Sequence, residues 1–462
     1  MQRCAELTSS RRPAALAAVL LGFFIVMLDT TIVNVALSAM GSDLHAPVPV
    51  LQWVVDAYTL VFAALLLTAG TACDRLGARR VYIAGLALFG ALSAVCAFAP
   101  NGAVLIGARA VQGIGAAAVV PGSLALLSGI YDDPRERSRA IGLWGGAGAV
   151  AAAVGPVLGG ALISWIGWRA VFWVNFPIVV ATLWLTWKGL PAATASQSRR
   201  EHGIDLPGQL LCVLGLAVLT YGIISGGDTR WALGAIIAAV CGLLILAGFA
   251  LAERRSRRPM LPMGIFRDPR FTVASLVGLA LNISFFGQLF VLSLFFQHYL
   301  GLAPWLAGLA LAPQACSGVI ASPLGGRAAA RIGAFPTTLI GLLVGAAGFA
   351  SLVRVTASTP YPVVAALTFI GGFGMAFAMP AVTSAAVMAS PPQYTGLAGG
   401  VINAARQTGS VIGVAVLGTM VATGPFLDGF HLAVASASGV FIAAAILVTS
   451  VLGRTSDTAQ AH

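Results

Sequence analysis

Long apolar runs separated by short polar breaks dominate this chain, and the runs share a length. They fall near residues 14–37, 51–70, 81–99, 103–127, 139–163, 169–187, 207–225, 232–252, 271–297, 304–323, 334–353, 361–387, 396–422 and 432–452. Each is close to the roughly 20 residues that an α-helix needs to cross the hydrocarbon core of a bilayer. The pattern predicts an all-α integral membrane protein with about 14 transmembrane helices. The first run follows Arg11 and Arg12, as a secretory signal would. It is long, carries Asp29 and Asn34, and lacks a small-x-small cleavage site, so it reads as a span.

Two cytoplasmic segments, near 188–206 and 253–270, are longer and more polar than the other breaks. They bracket the spans at 207–252 and leave six spans before and six after. GTACDRLGARR (Gly70–Arg80) follows the second span of the first six, and GGRAAARIGAF (Gly325–Phe335) follows the second span of the last six. Matching basic, glycine-bearing loops at matching places predict a duplicated six-helix unit, an arrangement typical of transporters. The expected division is an N-terminal six-helix bundle (1–187), cytoplasmic linkers with two extra central spans (188–270), a C-terminal six-helix bundle (271–453) and a cytoplasmic tail (454–462).

Composition agrees. Hydrophobic residues make up 58% of the 462 and charged residues 9%, against roughly 25% charged in soluble chains. The net charge of +11 would suit a polyanionic partner, but its distribution sets orientation instead. With an even number of spans and a cytoplasmic N-terminus, Arg169, Arg230 and Arg354 are the basic residues in outer loops. Arg109 and Arg406 lie inside spans, and the rest of the 26 Lys and Arg are cytoplasmic. That asymmetry follows the positive-inside rule, so no nucleic-acid partner is implied. Both termini are expected in the cytoplasm.

Several chemistries drop out. The single lysine, Lys188, stands in WKGL, which excludes a Walker A loop and ATP binding through it. The six cysteines form no CxxC, and no metal site or cofactor is implied. There is no HExxH, no GxSxG and no Cys/His nucleophile pairing, so an enzyme with catalytic residues is not expected. Duplicated halves and buried charges of both signs argue against a channel. Secondary transport remains.

Charges inside spans are the informative residues, since each costs about 2.5–3.5 kcal/mol at a helix centre on insertion scales. Asp29 lies in MLDTTIVNVAL and Arg109 in GARAVQGIGAA, at similar depth from the outer ends. Asp56 lies in QWVVDAYTL of the second span and Arg406 in INAARQTGS of the thirteenth. In one reading Asp29 or Asp56 takes up a proton and the Arg109 charge tunes that uptake; in the other, Asp29 and Arg109 are a static pair holding helices together. Polar and aromatic residues for a substrate cavity are Asn34, Gln112, Asn282, Phe286, Gln288, Asn403, Arg406 and Gln407. In the loop Gly70–Arg80, Asp74 is placed either to cap the next helix or to pair with a cation as a cytoplasmic latch, with a solvated turn as the alternative. Gly142–Gly160, uncharged and rich in glycine, offers small-residue spacings at Gly142/Gly146 and Gly155/Gly159 for close helix contact, with Pro156 as a kink.

These residues together resemble the major facilitator superfamily, specifically its fourteen-span drug–proton antiporter branch. MLDTTIVNVAL is similar to the branch's first-helix motif. Gly70, Asp74, Arg75, Gly77, Arg79 and Arg80 fit the superfamily's loop signature, and Arg109, Gln112, Gly113 and Gly115 fit the proton-linked motif of the fourth helix. Gly155, Pro156, Gly159 and Gly160 look like the fifth-helix motif associated with antiporters. WRAVFWVNFPI (Trp168–Ile178) and YLGLAPWLAGLALAP (Tyr299–Pro313) also look like this branch, and the whole is most similar to actinobacterial exporters of methylenomycin and related antibiotics. There are departures: Ser38 replaces a usual proline, Ala78 a usual arginine or similar polar residue, and Cys73 a small or apolar residue. No acidic residue matches Asp74 in the second-half loop. The resemblance implies a proton-driven exporter of amphipathic drugs or antibiotics working by alternating access in a bacterial inner membrane. Asp29, Asp56 and Arg109 would serve proton coupling. Uptake of a metabolite by proton symport is the alternative. The partners implied are the bilayer, a small-molecule substrate and protons, with a monomer favoured.

Overall fold

The computed structural model of the chain describes residues 12–131, 133–190, 205–229, 232–256, 261, 263–390 and 395–460. Arg3, Arg11, Arg199, Arg200, Arg230, Arg257 and Arg258 of the charge distribution lie outside them, as do the side chains of Arg135 and Arg454. No strand occurs among the described residues. The first six helices are α1 (Arg12–Asp43), α2 (Val48–Leu76), α3 (Ala78–Ala97), α4 (Gly102–Ile130), α5 (Pro134–Trp165) and α6 (Ala170–Gly189, interrupted at Val174). Then come α7 (Leu206–Asp228) and α8 (Leu233–Arg255). The last six are α9 (Pro269–Tyr299), α10 (Pro304–Ile332), α11 (Ala334–Ser351), α12 (Tyr361–Ala389), α13 (Thr395–Ala422) and α14 (Phe426–Gln460). Thirteen of these are long and apolar enough to cross a membrane. The other, α13, carries Asn403, Arg406 and Gln407 in its apolar run and packs between α2 and α9. Chain order makes the helices run alternately up and down. The end where α1 passes to α2 is here called the upper end.

The two sixes repeat one packing plan. In the first, α1 lies against α5 and α6, while α2 and α3 lie against α4. In the second, α9 lies against α13 and α14, while α10 and α11 lie against α12. The echoing loops adopt the same turn. Gly77 (φ 91°) joins α2 to α3 and Gly333 (φ 92°) joins α10 to α11. Each N–H bonds back to a carbonyl four residues earlier, Cys73 and Ala329, both at 3.1 Å. The left-handed φ explains why glycine stands at both places. Asp74 does not cap α3 as the sequence suggested. The capping position is Gly77, without a side-chain bond, and Asp74 is exposed on the last turn of α2.

Two seams join the halves. In one, α5 meets α10 through backbone: a Cβ on Gly160 would lie 2.5 Å from the Pro304 carbonyl oxygen, and one on Gly308 would lie 2.2 Å from that of Pro156. The Ser164 hydroxyl accepts the Trp305 N–H at 3.2 Å. In the other, α2 meets α13. Gln52 Nε2 donates to the Val414 and Ala415 carbonyls at 3.1 and 2.9 Å, and Leu67 reaches Gly400 lower down. Across the middle, Ser293 Oγ and Gln297 Nε2 on α9 donate to the Asn34 and Val35 carbonyls of α1 at 2.6 and 2.9 Å. Lipid gives apolar helix faces no hydrophobic reason to associate, so close backbone approach and hydrogen bonds supply the attraction.

The extra hairpin sits over the second seam. Gln209 of α7 is buried, donates to the Ala64 carbonyl of α2 at 2.8 Å and accepts from Thr68. Near its upper end α7 receives the Thr419 hydroxyl of α13 on the Ile223 carbonyl at 3.4 Å. Beyond α7, α8 is the most exposed span, with 11% of its apolar window buried.

The small-residue stretch of α5 divides in two. Gly155 and Gly159 lie on α1, where a Cβ would come within 2.1 Å of Thr31 Oγ1 and 2.7 Å of Ile32 Cγ1. Gly142, Gly145 and Gly146 meet nothing within 4 Å, so the Gly142/Gly146 spacing is not a helix contact here. Gly159→Leu is therefore expected to destabilise the fold by about 1–3 kcal/mol through overpacking, and Gly142→Leu to leave it unchanged. Thermal unfolding of the two variants in detergent checks this; equal melting temperatures would contradict it.

Candidate functional site

Asp29 and Arg109 form a buried ion pair, 0 and 1% exposed. Their pairing follows from their equal depth on adjacent helices, and both carboxylate oxygens of Asp29 are met by donors, while Asn175 Oδ1 beside them has no partner among the described residues. The Asp29 carboxylate accepts from the Arg109 guanidinium, from Asn175 Nδ2 at 2.9 Å and from Gln112 Nε2 at 3.4 Å. Arg109 also donates to Gln112 Oε1 at 2.8 Å and, through Nε, to the Val54 carbonyl at 3.2 Å. The guanidinium carbon stands 4.1 Å from the centre of the Tyr58 ring, a cation–π contact. Asn175 in turn donates to Ser93 Oγ at 2.9 Å, and Ser93 to the Phe172 carbonyl at 2.9 Å. Five helices of the first half, α1, α2, α3, α4 and α6, thus meet at one polar node. A buried pair persists only when its leftover hydrogen bonds are made, as here.

Asn175, Ser93 and Tyr58 were not among the sequence-predicted site residues. Asn175 opens the longer part of α6 just after the interruption at Val174. An asparagine in the apolar WVNFPI run was the one available signal.

Asp56 is arranged in the opposite way. It is 0% exposed, and neither carboxylate oxygen has a hydrogen-bond partner among the described residues. It shares a face of α2 with Gln52 and Leu60, one turn to either side. Gln52 bonds to α13, and Leu60 packs with Val411 of α13 and Leu216 of α7. The unpartnered carboxyl therefore stands at the seam between the halves.

In the second half, Asn282 Nδ2 donates to Ser410 Oγ at 3.1 Å, and Gln288 Oε1 accepts from Gln314 Nε2 at 3.0 Å. Arg406 rises from α13 beside Gly278 of α9 and is partly buried, with its Nε unpartnered among the described residues. Asn403 and Phe286 are partly buried; Gln407 and Asn34 are buried, and Asn34 Nδ2 donates to the Thr30 carbonyl at 2.9 Å. The structure thus joins Asp29, Arg109 and Gln112 directly, and leaves Asp56 and Arg406 as ionisable groups with unmet hydrogen bonds. Asp74 has no ion pair among the described residues, where the three pairs are Arg12–Glu136, Arg109–Asp29 and Arg169–Asp43. The described residues hold no His, Cys, Asp or Glu cluster fit for a metal.

A family model described as Major Facilitator Superfamily matches residues 19–414. The chain belongs to the major facilitator superfamily. This major facilitator chain is 39% identical to a methylenomycin A resistance protein of Streptomyces coelicolor, over 88% of this chain and 85% of that protein. It is 36% identical to a methylenomycin A resistance protein of Bacillus subtilis, over 90% and 89% respectively. Its fold matches the crystal structure of a bacterial homologue of the human lysosomal transporter Spinster, with a TM-score of 0.65 at 16% identity, covering 96% and 95% of the two chains. Membership makes the chain a multi-pass transporter and not an enzyme. The repeated six-helix plan is then that of a major facilitator fold.

Removing one partner of the node should cost more than removing both charges. Arg109→Gln is expected to lower stability by about 3–5 kcal/mol, because it leaves Asp29 buried without its cation. The double variant Asp29→Asn/Arg109→Gln should recover part of that loss. A double-mutant cycle from unfolding in mixed micelles measures it, and a double variant less stable than Arg109→Gln alone would refute the pairing account.

Proposed function

We propose that this protein exports amphipathic drugs or antibiotics from a bacterial cell in exchange for protons, and that Asp56 is the group at which proton and substrate compete. The carrying observation is the contrast between two buried carboxylates. Asp29 is satisfied by Arg109, Asn175 and Gln112, whereas Asp56 has no partner. A charged carboxylate without a donor is far more costly in such a place than a neutral carboxyl. Binding a proton and binding a cationic or donor group of a substrate are therefore alternative ways to satisfy Asp56. That is the exclusion an antiporter needs. Arg406, in the other half, offers its guanidinium to acceptor oxygens of the same substrate.

Position gives Asp56 its leverage. It stands between two contacts of α2 with α13, so a change in its charge changes the stability of that seam. Only such a difference in stability between states can drive a conformational change. The upper end, closed by Ser293, Gln297, Gln52 and the Gly160–Pro304 contact, is read as the outer side. The lower end, where Gly142, Gly145 and Gly146 of α5 face open space and where α1 begins and α14 ends, is read as the cytoplasmic side. The names of the relatives support the substrate class, and the positive-inside distribution supports the orientation. A monomer contains every group this scheme uses. One proton crossing about 100 mV supplies about 2.3 kcal/mol, enough for a roughly fiftyfold gradient of a neutral substrate.

Everted vesicles from an efflux-deficient host test the scheme with ethidium as probe. Wild type should take up ethidium when respiration acidifies the lumen and should stop on addition of an uncoupler. Asp56→Asn should exchange ethidium down its gradient and fail to accumulate it. Uncoupler-insensitive accumulation by wild type would sink the antiport mechanism, and undiminished accumulation by Asp56→Asn would remove Asp56 from it.

A further inference from the structure

A cavity lies away from the polar node, at the upper end of the second half. Its volume is about 390 Å³, within the range of small-ligand sites. Phe295, Phe296, Leu302 and Leu309 form its walls, and Thr356 and Thr359 stand at its edge. Phe295 and Phe296 belong to the π-helical turn Phe295–Tyr299 that ends α9. Such turns widen a helix locally and are frequent at functional sites. The same turn holds Gln297, and Ser293 lies just before it, so the cavity wall is continuous with the clamp onto α1.

The cavity reaches the protein surface on an apolar face of α10 and α12, the kind of face a bilayer covers. Leu309 and Tyr361, each 45% exposed, line it, and Trp305 beside them is equally exposed. Aromatic side chains of this kind mark the membrane–water interface. Inside the cavity nothing recognises a polar ligand group. No charged side chain lines it, the Thr359 hydroxyl is engaged with the Thr356 N–H at 2.9 Å, and the Tyr361 hydroxyl donates to the Leu309 carbonyl at 3.4 Å. Outside the lining the chain differs: Arg354, two residues before the lining residue Thr356, is exposed and has no ion pair among the described residues. Of the other two basic residues at this end, Arg169 is paired with Asp43 and Arg230 lies outside the described residues. An apolar slot on a membrane-spanning surface, with an exposed arginine two residues from its lining, has chemistry complementary to a phospholipid.

We propose that the cavity takes one acyl chain of a phospholipid from the adjoining leaflet and that Arg354 meets the lipid's phosphate. The site needs only that the helices cross a bilayer; calling the leaflet the outer one rests on the orientation proposed above. It is set apart from Asp56 and Arg406, because its lining contains neither of them nor any other residue of α2 or α13.

The test uses the full chain in nanodiscs containing a trace of phosphatidylglycerol with a diazirine in one acyl chain. After photolysis, adducts mapped by mass spectrometry should concentrate in residues 295–310 and 352–364. Ala310→Trp, which fills the cavity, should remove them, with Leu302→Trp as a second filling variant if the first does not fold. Arg354→Gln, at an exposed position, should lower labelling by about fivefold, as expected for one basic residue at a charged membrane surface. A diacylglycerol probe with the same chain should not respond to that change. Adducts spread evenly over the lipid-facing helices, an equal response of both probes to Arg354→Gln, or displacement of the lipid by excess ethidium would each overturn the proposal. None of these readouts involves transport, so failure here is distinct from failure of the antiport scheme.

Discussion

The halves of this protein are held together by a contact made twice: the second helix of each half lies on the fifth helix of the other. One version joins α10 to α5 and the other joins α2 to α13. In a bilayer such contacts cannot draw on the hydrophobic effect, because lipid already satisfies apolar faces. The α5–α10 seam relies on shape. Gly160 and Gly308 remove the side chains that would keep the backbones apart, and carbonyls of Pro304 and Pro156 fill the space. The α2–α13 seam relies on polarity, with Gln52 bridging to two carbonyls. Both rest on the inner packing of each half, which the glycines of α5 tie to α1 through Thr31 and Ile32.

Against that frame the buried ionisable residues divide by what surrounds them. Asp29 and Arg109 belong to a connected set of hydrogen bonds spanning five helices of one half, which ties those helices to one another. Asp56 belongs to no such set and lies where the halves meet. Two carboxylates with the same burial thus sit in opposite surroundings: one is met by donors of its own half, and the other stands unmet where the halves join.

Much of this was legible in the chain. Apolar run length located the spans, because the bilayer imposes one length on all of them. The hardest was α13, whose Arg406 and Gln407 dilute its apolar run. Equal depth brought Asp29 and Arg109 together, and the loop echo pointed to Gly77 and Gly333, which share one backbone conformation. What composition could not supply was direction around a helix axis. Gly142 and Gly159 look alike in sequence, yet one faces open space and the other faces α1. Asn175 and Ser93 were missed for the same reason, since a single polar residue in an apolar run does not declare which neighbour it meets. Asp74 looked poised for a partner because loop signatures describe residue types, and residue types do not place a cation within reach.

The hairpin of α7 and α8 has a consequence for the chemistry of the two seams. Duplication would leave them equivalent, but α7 covers the α2–α13 seam while, among the described residues, no comparable helix lies over α5 and α10. A seam shielded by protein can keep a glutamine and a carboxyl in its wall, since its polar atoms do not meet hydrocarbon. A seam bordered by lipid is confined to small and apolar side chains. The hairpin thus lets the seam it covers carry a glutamine and a carboxyl, while the uncovered seam closes on glycines and proline carbonyls, so two contacts of one plan differ in chemistry because they differ in solvent.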